Sequence, residues 1–356
     1  MKKTIAFAVG IIFAAAPFFA QNSYSESDLV WKDDFGGNMK LSKGINFGGW
    51  LSQCRHTKEH YDSFINEDDV RRAAGWGFDH IRLPFDSEVV QNPDGTFIEE
   101  GFSRLEKFAG WAEDSGLDVV LDLHKACGYD FNDAGTENGN PLFSSPHLQE
   151  LFVSLWNEVS SRFGGKKNVA FELLNEVVEQ DAAEPWNDLI DRTLSVIRKN
   201  APETFVIYGG IQWNSARTLR LLRKPEFRNV IFTFHFYEPL IFTHQKAPWV
   251  PGMSPDREIK YPDTDGNLPG IELMRQMIGE ACAAAENAGV PVYCGEYGVI
   301  DRAPVKGTEA WFADVHKIFR EFGVGHAVWT YKEMDFGLTE SHYDEIRSEL
   351  IKMMTE

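Results

Sequence analysis

From residue 41 onward the chain alternates between two rhythms. Short apolar runs rich in Val, Ile or Phe, bounded by Gly, Asn, Asp or Pro, are followed by stretches with apolar residues at helical spacing. Eight such pairs can be read. The runs at 44–47, 80–83, 117–123, 169–174, 204–208, 230–236, 291–294 and 326–329 predict strands. The stretches at 67–75, 102–115, 146–163, 185–199, 215–222, 270–288, 308–322 and 342–354 predict the helices that follow them. Most of the short runs are almost continuously apolar, the signature of strands covered on both faces of a parallel sheet. Eight βα units in sequence predict one α/β domain, a (β/α)8 TIM barrel over 41–356, with its active site where the strands end.

Two segments precede the barrel. Residues 1–20 carry Lys2 and Lys3 and then an apolar run that closes at Ala20. The run is too short and too poorly flanked for a stable membrane span and reads as a signal peptide, so a secreted protein, extracellular or periplasmic, is expected. Residues 21–40 are polar and irregular and predict an N-terminal arm over the barrel bottom. The longest loop, 240–269, follows the sixth strand on the active face; a connection of that length is expected to be functional.

Charge narrows the partners. With 35 basic and 54 acidic residues the formal charge is −19, which repels phosphate backbones and anionic membrane surfaces. A neutral polysaccharide meets no such repulsion. The ten Trp exceed what a core needs, and exposed rings are what uncharged sugars stack on. No nucleic acid, no membrane after signal removal and a monomer are expected. The cysteines, Cys54, Cys127, Cys282 and Cys294, allow three pairings between which sequence does not choose. Cys282 and Cys294 read as buried thiols, while Cys54 and Cys127 lie on loops that could approach each other. No Cys-x-x-Cys or His-x-His spacing signals a metal, and no cofactor is expected.

The strand ends carry the chemistry. Arg82 closes the second strand, Asp122 and His124 the third, Asn175 and Glu176 the fourth, His235 and Tyr237 the sixth, Glu296 the seventh and Trp329 the eighth. Strands four and seven lie almost opposite in an eight-stranded barrel, so Glu176 and Glu296 are expected to meet over the axis. Glycoside hydrolysis needs such a pair, one carboxyl protonated to assist the leaving oxygen and one ionised to attack the anomeric carbon. Arg82 and Tyr237 can keep Glu296 ionised, His235 can tune Glu176, Asn175 can bind a sugar hydroxyl, and His124 can bind another. Glu172 and Asp122 lie deeper on their strands and are expected to be supporting groups, and Asn46 can support Arg82. Trp329 offers a platform at the cleavage site, with Trp213, Trp249 and Tyr129 as further sugar-contact candidates.

Taken together, Gly44-Ile45-Asn46-Phe47-Gly48, Asn175-Glu176, His235-Phe236-Tyr237, Glu296-Tyr297-Gly298 and Trp329, in order and at barrel spacing, resemble glycoside hydrolase family 5. The resemblance implies catalytic glutamates at 176 and 296. Phe242-Thr243-His244-Gln245, followed by Trp249, is similar to the loop of family endoglucanases acting on β-1,4-glucans, some of which also cut mannans. The resemblance therefore implies a retaining endo-β-1,4-glucanase acting on neutral β-glucan, with β-mannanase, xyloglucanase or lichenase activity as alternatives on the same scaffold. A non-catalytic carbohydrate-binding barrel would lose a carboxylate, and both are present. One position departs from the family pattern: Val177 stands where Pro usually follows the acid/base Glu, and Val does not fix the backbone as Pro does.

Overall fold

The computed structural model describes residues 30–32, 38–134, 139–263, 268 and 270–356. The expected signal peptide, residues 1–20, lies outside them, as does most of the expected arm. Within the described part of that arm, Val30–Lys32 pairs antiparallel with Asn38–Lys40. The Lys40 amide is tied to Asp118 Oδ2 at 2.6 Å, at the start of the third barrel strand.

Eight parallel strands close into a barrel: Lys43–Asn46, His80–Asp86, Asp118–Lys125, Val169–Glu172, Val206–Gly209, Val230–Phe236, Val292–Tyr297 and Gly325–Val328. The eighth pairs with the first, so no edge is left open. Helices on the outside include Glu67–Gly75, Glu99–Asp114, Pro146–Phe163, Ala183–Asn200, Ile271–Ala288 and Val305–Phe322. Their starts follow local chemistry. Asn66 caps Glu67–Gly75 in a capping box with Asp69, and Ser145 caps Pro146–Phe163, with Pro at the first turn.

Two predicted helices differ. The stretch after the fifth strand forms a 3₁₀ helix, Ala216–Leu221. Its buried Ala216 and Leu219 are three residues apart, the repeat of that tighter helix. The closing helix spans Arg347–Thr355, behind a single 3₁₀ turn at Ser341–Tyr343 that buries Tyr343 and bonds its hydroxyl to the Val299 carbonyl.

Side-chain alternation sorts the strands into two faces. Outward residues such as Ile81, Leu121, Phe171 and Phe232 join the helices in the main apolar core. Inward residues at the barrel bottom form a separate cluster of Met39, Leu41, Val120, Ala170, Phe205, Ile207, Ile231, Tyr293 and Ala327. His80 fills the interior beside it and bonds the Tyr293 hydroxyl at 2.8 Å. Glycine is required opposite: a Cβ on Gly44 would come within 2.1 Å of the His80 ring.

All four cysteines are free thiols, including Cys54 and Cys127. Cys294 is buried as expected, whereas Cys282 is only partly so. Among the described residues no helix is long and apolar enough to cross a membrane.

Candidate active site

Moving up the inside of the barrel, the apolar cluster gives way to charge. Arg82 is fully buried at the centre. Its Nε and Nη2 donate to the two oxygens of Glu172 at 2.8 and 2.9 Å. Nη2 also reaches Asn175 Oδ1 at 2.7 Å and Asp122 Oδ2 at 3.0 Å. Nη1 donates to Asn46 Oδ1 at 2.9 Å and to Glu296 Oε1 at 2.7 Å. Burial opposes the guanidinium charge, but Asp122, Glu172 and Glu296 outweigh it and hold the Arg82 pKa well above its ordinary value. Asn46 is fixed in turn, donating its amide to the carbonyls of Gly295, Ala327 and Val328.

Glu296 faces this cation because of a strand irregularity. Tyr293 points into the barrel, so strict alternation would send Glu296 outward. A register shift, in which Phe234 pairs with Cys294 and His235 with Glu296, inserts Gly295 as an extra residue and turns Glu296 inward. Gly295 leaves the room required, since a Cβ there would lie 2.9 Å from Thr233 Oγ1 and 3.3 Å from His235 Nε2. The second oxygen of Glu296 accepts from the Tyr237 hydroxyl at 3.0 Å. Burial and then the Glu296 charge push the Tyr237 pKa well above the ordinary phenol value, so this donor keeps its proton. His244 and Phe336 pack against the Tyr237 ring.

Glu176 has different company. His235 Nδ1 is 2.7 Å from its Oε1, and among the described residues no Arg or Lys pairs with it directly. Burial raises the Glu176 pKa to about 7, against the pull of His124 and Arg82. Burial lowers His235 to about 4, so the imidazole is neutral. With its ring proton on Nδ1, His235 donates to Oε1 and leaves Oε2 free to carry the acid proton. One oxygen of Glu176, one of Glu296 and a ring nitrogen of His235 all lie within 4.8 Å of one another. An oxygen contact that close fits the short class of carboxyl spacing, ~5–5.5 Å for direct attack, better than the ~6.5–9.5 Å that admits a water. The arrangement pairs a carboxylate held by a guanidinium and a phenol with a carboxyl that keeps its proton to near neutrality.

His124 donates through Nδ1 to Asp122 Oδ2 at 2.6 Å, while its Nε2 accepts from the Gln53 amide at 2.9 Å. Both ring nitrogens are thus used in the neutral form, and burial lowers its pKa to about 4. Its ring lies parallel to Trp329, 5° between planes, with Phe131 edge-on at 5.2 Å. The Trp329 ring lies against Gly48, where a Cβ would approach it to 2.7 Å.

The remaining candidates separate by exposure. Trp213 and Trp249 are both 50% exposed. Trp213 is the middle of three successive left-handed residues, Gln212, Trp213 and Asn214, with φ near 56, 56 and 52°. Its amide bonds the Val177 carbonyl at 3.1 Å, which places it beside the Glu176 loop. The Arg302 guanidinium stands 5.9 Å from the Trp249 ring. Tyr129 departs from the expected sugar contact: it is 3% exposed, and its hydroxyl is taken up by the backbone around Glu176. Sequence reading missed Gln53, Glu179 and Asn140. Gln53 could have been flagged as an amide just beyond the first strand's glycines; the other two carry no local signal.

The family profile described as cellulase (glycosyl hydrolase family 5) matches residues 42–335. The chain is 40% identical to cellodextrinase A of Ruminococcus flavefaciens over 80% of its own length and 83% of that protein. It is 35% identical to endoglucanase C of Acetivibrio thermocellus over 89% and 98% of the two chains. Endoglucanase Cel5A of Thermotoga maritima superposes with a TM-score of 0.73 at 25% identity, covering 88% of this chain and 97% of that one. With its closed eight-stranded barrel and this match over most of its length, the chain belongs to glycosyl hydrolase family 5.

Proposed function

We propose that this protein is a retaining endo-β-1,4-glucanase in which Glu176 is the acid/base and Glu296 the nucleophile. The observation that carries the assignment is the contrast between two carboxyls within 4.8 Å of each other. Arg82 and Tyr237 bind Glu296, and burial keeps Glu176 protonated to about pH 7. In the first step Glu296 attacks the anomeric carbon, the glycosidic C–O bond breaks, and the leaving oxygen takes the Glu176 proton. In the second, ionised Glu176 removes a proton from water, which attacks the glycosyl ester and frees Glu296. In this reading Asn175, held by Arg82, binds the 2-hydroxyl and Trp329 floors the sugar beside the cleaved bond, while His124, buried with both ring nitrogens taken, stacks against Trp329 instead of binding the sugar hydroxyl expected of it. Trp213 and Trp249 offer stacking surfaces along the cleft.

The curated relatives are named a cellodextrinase and an endoglucanase, which supports a β-glucan substrate. Secretion rests on Lys2, Lys3 and the apolar run after them. The protein acts as a monomer on a neutral chain and requires no cofactor. Glu176→Ala tests the acid role. Its kcat/KM on cello-oligosaccharides is expected to fall by ~10³-fold, but by less than ~10-fold on aryl cellobiosides with good leaving groups. Equal loss on both would contradict the assignment. Product analysis on carboxymethylcellulose, mixed-linkage glucan, xyloglucan and mannan sets the substrate class, and failure to cleave any β-glucan would refute it.

A further inference from the structure

The loop that carries Glu176 is held by one phenol. Tyr129 accepts a hydrogen bond from the Val178 amide at 2.7 Å and lies 2.9 Å from the Glu176 carbonyl, to which it donates. The two bonds bracket Val177, whose own carbonyl is bound by the Trp213 amide at 3.1 Å. On the other side of Glu176, the Asn175 amide is fixed to the Leu123 carbonyl at 3.0 Å. The backbone around the carboxyl-bearing residue is therefore pinned at four points, two of them on a single side-chain oxygen. Val177 has no ring to restrict its backbone, so this restraint is made by hydrogen bonds.

The phenol is itself immobilised. Tyr129 and Ala126 exchange backbone bonds at 2.9 and 3.1 Å across a tight turn leaving the third strand. The Tyr129 ring meets Phe143 edge-on at 5.6 Å. Glu179 Oε2, at 3.1 Å, shares that single hydroxyl proton with the Glu176 carbonyl, and Glu179 Oε1 accepts from the Asn140 amide at 2.6 Å. Asn140 closes the circuit by accepting from the Asp130 amide at 2.9 Å. Burial holds the phenol pKa above its ordinary value, so the donor persists through the working pH range. The network meets Glu176 only through its backbone carbonyl, and none of its side chains is a proton-transfer or nucleophilic group.

We propose that Tyr129, in a loop that Asn140 ties together, is a positioning residue that sets the aim of the Glu176 carboxyl from the loop after the third strand. The proposal rests on Glu176 being the acid/base. A displaced acid delivers its proton poorly, and rate is sensitive to such misplacement. A poor leaving group needs that proton, whereas a good one departs without it. Loss of the clamp therefore has a signature that general loosening of the fold lacks.

Tyr129→Phe in the full chain, measured beside Glu176→Ala, tests it. In Tyr129→Phe, kcat/KM on cello-oligosaccharides is expected to fall about tenfold or more, but less than about threefold on an aryl cellobioside with a good leaving group. Its alkaline limb on oligosaccharide is also expected to move, because the Glu176 surroundings change. Asn140→Ala, which keeps the phenol and both its bonds to the Glu176 loop but cuts the ties to Asp130 and Glu179, is expected to give the same selectivity to a smaller degree; it carries the test if Tyr129→Phe does not fold. Equal loss on both substrates, or none on either, while Glu176→Ala remains leaving-group selective, overturns the positioning role alone. Non-selective loss in Glu176→Ala overturns the acid assignment and the positioning role with it.

Discussion

The lower and upper halves of the barrel interior are built on the same strands and use opposite chemistry. At the bottom, Val120, Ala170, Ile231, Tyr293 and Ala327 meet Met39 and Leu41 in a small buried apolar cluster. Two to four residues further along the same inward faces stand Asp122, His124, Glu172, Thr233 and His235, gathered around buried Arg82. The lower half gains stability by removing apolar surface from water, about 25 cal/mol per Å². The upper half buries one guanidinium among three carboxylates, an arrangement whose desolvation offsets much of its attraction. The comparison teaches that this barrel separates stability from chemistry along its axis. The bottom can lose atoms without losing mechanism, and the top holds groups in states they would not adopt in water.

Substitutions can break that separation. The largest effect is expected from Glu296→Gln: turnover should fall by ~10⁴-fold or more, with the melting temperature and oligosaccharide binding preserved. Calorimetry beside single-turnover kinetics checks this, and a large stability loss would mean Glu296 is structural. Arg82→Met is expected to fail on both counts, because it leaves buried carboxylates without their cation. A loss of about 3–5 kcal/mol in denaturant unfolding is expected, together with collapse of activity. Leu41→Ala should cost about 2–5 kcal/mol while leaving kcat/KM of the folded enzyme unchanged. A parallel drop in kcat/KM would show that the two halves are coupled. The smallest effect is graded by pH. Burial raises Glu176 to about 7, so the acid form is lost as pH rises through that value, and kcat/KM should fall about tenfold per unit beyond it. In Glu176→Ala that limb should vanish with aryl substrates; its persistence would assign the titration to another group.

Much of this was legible in the chain. Short apolar runs alternating with helical stretches predicted the eight units, because strands covered on both faces and helices covered on one leave different periodicities. Glu172 and Asp122 were placed below the rim by counting in twos along strands, and both bond Arg82 there. Counting in twos fails at the seventh strand, where the Gly295 bulge turns Glu296 inward. Tyr129 looked like an open aromatic beside the cleft, yet its hydroxyl is bound to backbone from the next βα loop. Gln53 reaches His124 across 71 positions and Asn140 reaches Glu179 across 39, pairings that leave no periodic trace.

The sequence by itself determined the order of elements, the inward face of most strands and the residue types gathered at one rim. These follow from local sterics and from the burial of apolar side chains, which act over a few residues. The pairing of Arg82 with Glu296 and of His235 with Glu176 was expected from the strand ends, but only the tertiary structure decided how far each carboxyl is desolvated, and burial raises Glu176 beside a neutral imidazole. Protonation depends on desolvation and on charges from strands distant in sequence, and those distances exist only after the barrel has closed.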